Sequence, residues 1–192
     1  VLASALCMDK VKAKEVLAAH RLAQVPFVAL RDTGLDRAHE AVAAEGLAYP
    51  LFVKPSNMGS SVGVSKVHEP DELDGALATA AAYDEWVVIE EGVGAREIEV
   101  AVLGNADPKA SVPGEITVDH PDGFYSYAAK YIDEKGATLR IPADLPAAKA
   151  NAVGLLAIQT FRALECAGMA RVDFFVDGDR DLRLALALDR LG

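Results

Sequence analysis

The stretch YPLFVKPSNMGSSVGV, residues 49–64, constrains the fold more than any other part of the sequence. A short apolar run ends near Lys54, and a loop containing Gly59 and Gly63 follows before the extended residues VSKV. Two such runs around a glycine-containing loop predict a hairpin with a flexible tip. P-loops and dinucleotide fingerprints need glycines that open a helix, and the sequence contains neither GxxxxGK[ST] nor GxGxxG. We therefore expect this loop to join two strands.

Helical and extended patterns alternate through the rest of the sequence. Apolar residues recur at helical spacing in four segments, which predicts helices over residues 10–19, 35–45, 70–81 and 146–167. Alternating or short apolar runs predict strands over residues 25–30, 51–56, 64–67, 85–91, 96–104 and 169–177. Hairpins mixed with helices indicate an α+β fold rather than a parallel βαβ sheet. A chain of 192 residues suits one domain or two small lobes.

The charge of the chain limits its partners. The formal net charge is −10, so nucleic acid or an anionic membrane would repel most of the surface, and we expect neither as the main partner. No apolar run approaches the roughly 20 residues that a membrane helix needs, and no signal peptide opens the sequence. We therefore expect a soluble, cytoplasmic protein. Because the sequence starts without methionine, we expect it to begin inside a longer chain.

The cysteines and histidines form no metal-binding motif. Cys7 and Cys166 lie far apart in the sequence and belong to no CxxC pair. We expect two buried thiols in a reducing compartment rather than a disulfide or a zinc site. The four histidines lie in polar surroundings without the spacing of metal ligands, and we assign them no role.

Four cations stand near the ends of apolar elements, namely Lys10, Lys54, Lys130 and Arg171. Each one alone is more often a solvated side chain whose aliphatic stem covers apolar surface. Beside a glycine-serine loop they suit a phosphate site, because glycine frees backbone N–H groups and lysine supplies point charges. The combination indicates a triphosphate as the ligand.

Acidic residues supply the other part of the candidate site. Arg171 and Asp173 alternate on one predicted strand and therefore point the same way. They form either a surface ion pair or a functional pair, in which Asp173 holds Mg²⁺ and Arg171 stabilises developing charge. Glu90, Glu91 and Glu97 flank the turn EGVGA, where they either protect a sheet edge or bind a ribose.

Five segments together resemble the D-alanine–D-alanine ligases of the ATP-grasp superfamily. In the order and spacing of that family, they are ASALCMDKVKAKEVL, FVKPSNMGSSVGVSKV, VIEEGVGAREIEVAVLG, GFYSYAAKYID and GMARVDFFVD. The resemblance implies an ATP-grasp fold, in which two α+β lobes with mainly antiparallel sheets enclose the nucleotide. Residues 1–92 would form a central lobe with the glycine-serine loop. Residues 93–192 would form a truncated C-terminal lobe with a lid loop and a strand that binds metal and phosphate.

The resemblance also implies which residues bind ATP. Those that would contact its phosphates or close over them are Lys10, Lys54, Gly59, Ser60, Ser61 and Lys130. Those that would bind its adenine and ribose are Glu90, Glu91, Val93 and Glu97. Replacing Lys54 with alanine is then expected to weaken ATP binding by about 1.5–3 kcal/mol while barely changing thermal stability.

The implied reaction joins two D-alanines for peptidoglycan precursor synthesis. The carboxylate of the first D-alanine attacks the γ-phosphoryl group of ATP, and the amine of the second attacks the resulting acyl phosphate. The catalytic residues implied by the resemblance are Ser60, Lys130, Tyr131 and Arg171, with Asp173 as a ligand of Mg²⁺ or Mn²⁺. Tyr131 favours D-alanine as the acceptor, because histidine accompanies D-lactate use at this position in the family. A homodimer is also implied.

The sequence departs from the family at both ends. The family's first lobe is absent, and Leu186 and Leu188 stand where the family has the Glu and Asn of its magnesium site. Because leucine cannot coordinate magnesium, we favour an omitted block over a substitution. Two alternatives stay open. One is a nucleotide-binding ATP-grasp fragment without ligase activity, and the other is a ligase that uses D-lactate or D-serine as acceptor.

Overall fold

The computed structural model describes residues 1–118, 137–177 and 181–185. Its helices are α1 (Leu2–Met8), α2 (Lys10–Ala19), α3 (Ala38–Glu45), α4 (Leu73–Ala81) and α5 (Ala147–Ala163). Its strands are β1 (Phe27–Arg31), β2 (Leu51–Pro55), β3 (Ser65–Val67), β4 (Trp86–Glu91), β5 (Arg96–Gly104), β6 (Lys109–Ala110), β7 (Gly114–Val118), β8 (Ala137–Arg140), β9 (Gly168–Asp177) and β10 (Asp181–Ala185). Within these ranges, no helix is long and apolar enough to cross a lipid bilayer.

The chain divides into two compact units, each built on one antiparallel sheet. The four-strand unit contains Met8–Val11 and Val25–Val93. The six-strand unit contains Val1–Cys7, Lys12–Gln24 and the described residues from Gly94 onward. The main boundary lies one residue from the division expected at 92 and 93.

The early helices are where the two divisions differ. The sequence-based division placed all of residues 1–92 in one lobe, whereas Lys12–Gln24 belongs to the six-strand unit. The physical reason is packing, since Ala13 and Leu17 of α2 are fully buried in the core of that unit. Sequence periodicity identifies the apolar face of a helix and does not identify the partner of that face.

The four-strand sheet has helices on one face, and its other face carries both polar and apolar side chains. Its strands lie in the order β1-β4-β2-β3. Val53 of β2 and Ile89 of β4 pack with Leu73 and Leu77 of α4 in a buried cluster. Because successive side chains of a strand alternate between faces, the intervening residues of β2 and β4 lie on the opposite face.

The helices of this unit start later than their apolar patterns predict. Short 3₁₀ turns at Asp32–Arg37 and Pro70–Glu72 precede α3 and α4. The helix predicted over 35–45 therefore begins at Ala38, and the one predicted over 70–81 begins at Leu73. Pro70 occupies the first 3₁₀ turn, where its missing N–H costs nothing.

The six-strand sheet repeats the same plan with α2 and α5 on its apolar face. The strand order is β10-β9-β5-β7-β8, with β6 paired to β5 on the side. Val100 of β5 lies opposite Val172 of β9, and both pack with Val153, Ala157 and Phe161 of α5. Four charged residues alternate with these apolar ones and lie on the sheet face away from α5, namely Glu97 and Glu99 of β5 and Arg171 and Asp173 of β9.

The two cysteines meet in the six-strand unit. The Sγ atoms of Cys7 and Cys166 lie 3.9 Å apart, although the residues are 159 positions apart in the sequence. The two cysteines do not form a disulfide, and they are half-buried rather than buried as expected. Hydrogen bonding to Cys7 and partial burial raise the pKa of the Cys166 thiol.

Candidate functional site

One face of the four-strand sheet places two lysines around an aromatic ring. Phe52, Lys54 and Glu90 alternate with the core residues of β2 and β4, so they point away from the helices. The Nζ atom of Lys54 lies 5.6 Å from the centre of the Phe52 ring, and that of Lys66 lies 5.9 Å from it. This face can offer a ligand both positive charge and aromatic surface.

Lys54 also forms a salt bridge on this face. Its Nζ atom donates a short hydrogen bond to Oε2 of Glu90. The two side chains are 19% and 4% exposed, so the pair is largely removed from water. A charge in such surroundings is costly unless it is compensated, and each side chain compensates the other. Lys54 therefore has a structural partner as well as a position beside the glycine-serine loop.

The glycine-serine loop, residues 57–64, forms a compact turn. Ser60 and Ser61 adopt left-handed backbone conformations with φ of 53° and 60°. The Val62 N–H donates to the carbonyl of Gly59 at 3.1 Å. Non-glycine residues rarely adopt this conformation, so two in succession indicate a shape imposed by the surroundings.

The two glycines of this loop have different reasons for being glycine. A Cβ atom added to Gly59 would meet no atom within 4 Å, so the backbone there is open to an approaching ligand. A Cβ atom added to Gly63, whose φ is +71°, would lie 2.7 Å from the ring of Tyr83 and 3.1 Å from Pro55. Close packing therefore requires glycine at Gly63, whereas the space beside Gly59 would also admit a side chain.

Lys10 holds the start of the loop. Its Nζ atom donates hydrogen bonds to the carbonyl oxygens of Ser56 at 3.1 Å and Met58 at 2.5 Å. The Ser56 hydroxyl donates to Oδ1 of Asp9 at 2.7 Å and accepts a bond from the Val11 N–H at 3.2 Å. The short segment around Lys10 is thereby tied to the end of β2, and the Lys10 charge lies beside the loop backbone.

The six-strand sheet carries a second charged cluster on its polar face. Arg171 binds Asp173 through two hydrogen bonds, from Nε to Oδ1 at 2.8 Å and from Nη2 to Oδ2 at 2.9 Å. The same Nη2 atom lies 3.2 Å from Oε1 of Glu99. Glu97 precedes Glu99 by two residues on β5 and lies on the same face. The predicted pair of Arg171 and Asp173 is thus one part of a larger acidic cluster.

A second ion pair lies at the start of β5. Arg96 donates from Nε and Nη2 to the two carboxylate oxygens of Glu115 on β7, at 2.6 and 2.7 Å. These hydrogen bonds outweigh the effect of burial and hold the pKa of the Glu115 carboxyl below its usual value. The pair joins the neighbouring strands β5 and β7.

The described residues do not by themselves form a magnesium site. Asp173 was the predicted ligand, and both of its carboxylate oxygens accept hydrogen bonds from Arg171. Across residues 1–118, 137–177 and 181–185, no group of three or more His, Cys, Asp or Glu side chains could hold a metal ion. Leu186 and Leu188 lie outside these ranges. We therefore assign no chemical step to a metal ion.

The remaining predicted site residues have varied positions. Lys130 and Tyr131 lie outside the described residues. The Glu91 carboxylate accepts a hydrogen bond from the Ala48 N–H at 3.0 Å, so it holds the turn before β2. Val93 is half-buried just after β4.

Sequence reasoning missed two acidic residues near the candidate sites. Glu99 contacts Arg171, and Asp84 accepts hydrogen bonds from the loop residue Asn57. The alternation of acidic residues along β5 was a usable signal for Glu99, because Glu97 was already assigned on that strand. For Asp84 no local pattern gave a signal.

Comparisons with known proteins show the family of the chain. A family model described as "D-ala D-ala ligase C-terminus" matches residues 16–186. A D-alanine–D-alanine ligase of Thermoanaerobacter sp. (strain X514) is 49% identical over 179 residues, which cover 92% of this chain and 49% of that protein. D-alanine–D-alanine ligase A of Chromobacterium violaceum is 48% identical over 182 residues, which cover 95% of this chain and 49% of that protein. The chain spans about half the length of the curated relatives it matches.

Solved structures give the same result at the level of the fold. The VanG D-Ala:D-Ser ligase from Enterococcus faecalis matches with a TM-score of 0.84 and 33% identity, covering 95% of this chain and 52% of that one. The D-alanine–D-alanine ligase from Coxiella burnetii matches with a TM-score of 0.80 and 33% identity, covering 96% of this chain and 47% of that one. The predicted α+β class and ATP-grasp fold are confirmed. With residues 16–186 matched to its model, the chain belongs to the family of D-alanine–D-alanine ligase C-terminal domains.

Proposed function

We propose that this chain forms the ATP-binding part of a D-alanine–D-alanine ligase, which makes D-alanyl-D-alanine for peptidoglycan synthesis. The observation that carries the proposal is the match of residues 16–186 to the ligase family. The charged faces of the two sheets support it, because the matched range includes Lys54, Glu97, Arg171 and Asp173 on those faces.

The four-strand unit would hold the phosphates of ATP. Lys54 lies next to the loop and would exchange its bond with Glu90 for one with a phosphate oxygen. Lys10 would add charge at the start of the loop, and the open backbone of Gly59 would let N–H groups approach the phosphates. In a chain of net charge −10, such a local group of lysines favours an anionic ligand. Other residues proposed to contact ATP are Ser60, Ser61, Glu90, Glu91, Val93, Glu97 and Lys130.

The chemistry proposed for the whole protein is phosphoryl transfer followed by amide formation. The carboxylate of one D-alanine attacks the γ-phosphorus of ATP, and the bond from that phosphorus to the bridging oxygen of ADP breaks. The amine of a second D-alanine attacks the acyl phosphate, phosphate leaves, and the amine loses a proton. Phosphoryl transfer depends mainly on positioning and charge neutralisation, and we assign the neutralising charges to Lys130 and Arg171. We propose that Ser60 and Tyr131 hold the lid loop in its closed state.

A divalent ion, Mg²⁺ or Mn²⁺, is proposed as a cofactor of the whole protein. When bound, it would neutralise charge on the phosphates of ATP. Asp173 is the residue of this chain that we propose as a ligand, and binding would require it to give up at least one bond from Arg171. Assembly as a homodimer and a cytoplasmic location also stay predictions.

A different acceptor is the second candidate function. The VanG structure that matches this chain is named a D-Ala:D-Ser ligase, so the fold alone does not separate D-alanine from D-serine as acceptor. Tyr131 favours D-alanine. If this assignment is right, Tyr131→His should raise the rate with D-lactate relative to that with D-alanine. An unchanged preference would reject the assignment of Tyr131 to the acceptor site.

The experiment that tests the proposal mixes the chain with ATP, Mg²⁺ and D-alanine. Phosphate release and D-alanyl-D-alanine are measured together, with D-serine and D-lactate offered as competing acceptors, and ATP binding is measured separately by calorimetry. Phosphate release that depends on D-alanine, with an equal amount of dipeptide, would support the ligase. ATP binding without dipeptide would instead support a nucleotide-binding fragment. Failure to bind ATP would reject both.

A further inference from the structure

A carboxylate that the proposed mechanism does not use lies at the start of the glycine-serine loop. Oδ2 of Asp84 accepts hydrogen bonds from both nitrogens of Asn57, at 2.6 Å from the backbone N–H and at 2.9 Å from the side-chain amide. Oδ1 accepts a third bond from the Trp86 N–H at 3.1 Å. Asp84 thus connects the first residue of the loop to the first residue of β4.

The peptide group between Ser56 and Asn57 is held from both sides. Its carbonyl oxygen accepts bonds from the backbone N–H and from Nζ of Lys10, both at 3.1 Å. Its N–H donates to Asp84. A cation on the oxygen and an anion on the N–H both act along the dipole of this peptide, so the two charges fix its orientation together. This peptide is the point from which the loop leaves β2.

The other end of the loop rests on the residue next to Asp84. Tyr83 lies against Gly63, where a Cβ atom would be 2.7 Å from the tyrosine ring. Two consecutive residues between α4 and β4 therefore contact both ends of the loop. The loop tip around Gly59, by contrast, has open space beside its backbone.

The environment of Asp84 keeps its carboxylate charged. Partial burial raises its pKa, but hydrogen bonds from Trp86 and Asn57 and the positive charge of Lys10 outweigh burial and lower the pKa below its usual value. Two of the residues that lower this pKa, Asn57 and Lys10, also hold the start of the loop in place. At neutral pH Asp84 is therefore an ionised acceptor for the loop.

We propose that Asp84 is a positioning residue, which holds the glycine-serine loop in the shape that binds phosphates. This inference rests on the proposed ATP-binding function. Without the carboxylate, the loop would spend only a fraction of its time in that shape, and the apparent Kd for ATP would rise by the inverse of that fraction. The direct electrostatic effect of losing the carboxylate would instead lower the Kd for ATP, because removing a negative charge beside a phosphate site favours an anionic ligand. The direction of the change therefore separates positioning from simple charge.

The test compares two variants that each remove one carboxylate charge. Asp84→Asn loses the anchor, whereas Glu85→Gln removes the charge of the next residue, which pairs with Arg31 at the surface. Binding of ATP with Mg²⁺, and of adenosine, is measured by calorimetry on the full chain. We expect Asp84→Asn to raise the Kd for ATP about tenfold and to change that for adenosine less than about twofold. Glu85→Gln should leave the Kd for ATP unchanged or slightly lower.

Several results would overturn the inference. One such result is that Asp84→Asn binds ATP as tightly as the original chain. Another is that its affinities for ATP and adenosine fall equally, which indicates a general structural defect. If Asp84→Asn does not fold, Asn57→Ala replaces it, because it removes one exposed bond to Asp84 and should raise the Kd for ATP about threefold. An unchanged Kd in Asn57→Ala would then reject the inference. Absence of ATP binding by the original chain would reject the proposed function, and this inference with it.

Discussion

Replacing Lys54 with methionine should destabilise the protein as well as weaken nucleotide binding. Lys54 and Glu90 are 19% and 4% exposed, so their salt bridge lies mostly out of water. Breaking a fully buried pair by removing one partner costs about 3–5 kcal/mol. The residual exposure of Lys54 lowers this, and we expect a loss of about 2–3 kcal/mol in the free energy of unfolding. The expectation from sequence, that replacing Lys54 would barely affect stability, treated it as a phosphate ligand and did not include this salt bridge.

Urea unfolding at neutral pH measures this loss, with Lys66→Met as the matched control. Lys66 lies on β3, opposite Phe52 in the sheet and 5.9 Å from the centre of its ring, and its removal changes the net charge equally. Its cation–π contact is worth about 0.5–1 kcal/mol, so the control should lose no more than that. The double variant Lys54→Met with Glu90→Gln should recover at least about 1 kcal/mol relative to Lys54→Met alone, because the buried negative charge is removed too.

One pattern of results would refute this reasoning. If Lys54→Met and Lys66→Met lose the same small stability, and Glu90→Gln recovers nothing in the Lys54→Met background, then Lys54 does not compensate Glu90 in solution. If Lys54→Met then lost ATP binding while Lys66→Met kept it, phosphate binding would be the role of Lys54. Intact ATP affinity with a large loss of stability would instead leave the salt bridge as its role.

Three further predictions concern the loop, an ion pair and a thiol. Glu115→Gln should cost about 1 kcal/mol of unfolding free energy at neutral pH, measured by urea unfolding, because the bonds from Arg96 stabilise the fold only while Glu115 is ionised. Those bonds lower the pKa of Glu115 in the folded state, so the difference from the original chain should vanish as the pH falls through that lowered pKa. Gly63→Ala should cost about 1–3 kcal/mol in the same assay, because φ is positive and an aromatic ring fills the space for Cβ. Alkylation of Cys166 at neutral pH, followed by mass spectrometry, should be at least about tenfold slower in the folded than in the unfolded chain, because the bond to Cys7 and burial keep the thiol protonated.

The fold class and the main helices could be predicted because their signals are local. The spacing of Val153, Ala157 and Phe161 predicted the long helix, and these residues are buried in α5. Alternation along β5 likewise predicted a strand, with Ile98 and Val100 on its buried face. Each of these patterns lies within a short window, and the burial of one face is enough to select helix or strand.

Other elements depend on partners that are distant in the sequence. The strand β7 is five residues long and pairs with β5 through Glu97, Ile98 and Glu99, so no window around β7 contains its partner. The short β8 is equally dependent on β7, its neighbour in the sheet. Such elements form because an existing sheet edge accepts them, and their own sequences carry little periodicity.

The candidate site shows the same division. The residue types and the loop were visible in the sequence, and Lys54 was correctly placed near the end of a strand. The salt bridge of Lys54 with Glu90 was not predicted, because it joins side chains 36 positions apart that come together only when β2 pairs with β4. Asp84 was missed for a similar reason, since its bonds to the loop arise only when β4 returns beside β2.

The path of the chain near its start has a consequence for recombination. Met8–Val11 belongs to the four-strand unit, although the segments on either side of it belong to the six-strand unit. A crossover placed at the linker after Val93 would therefore inherit the whole loop site from one parent. A crossover placed before Val25 would pair the Lys10 of one parent with the Ser56 of the other. Because the Ser56 hydroxyl bonds the Asp9 carboxylate, chimeras of the second kind should favour parents that share Asp9 and Ser56. The short segment around Lys10 is thus inherited as part of a loop that lies more than forty positions away.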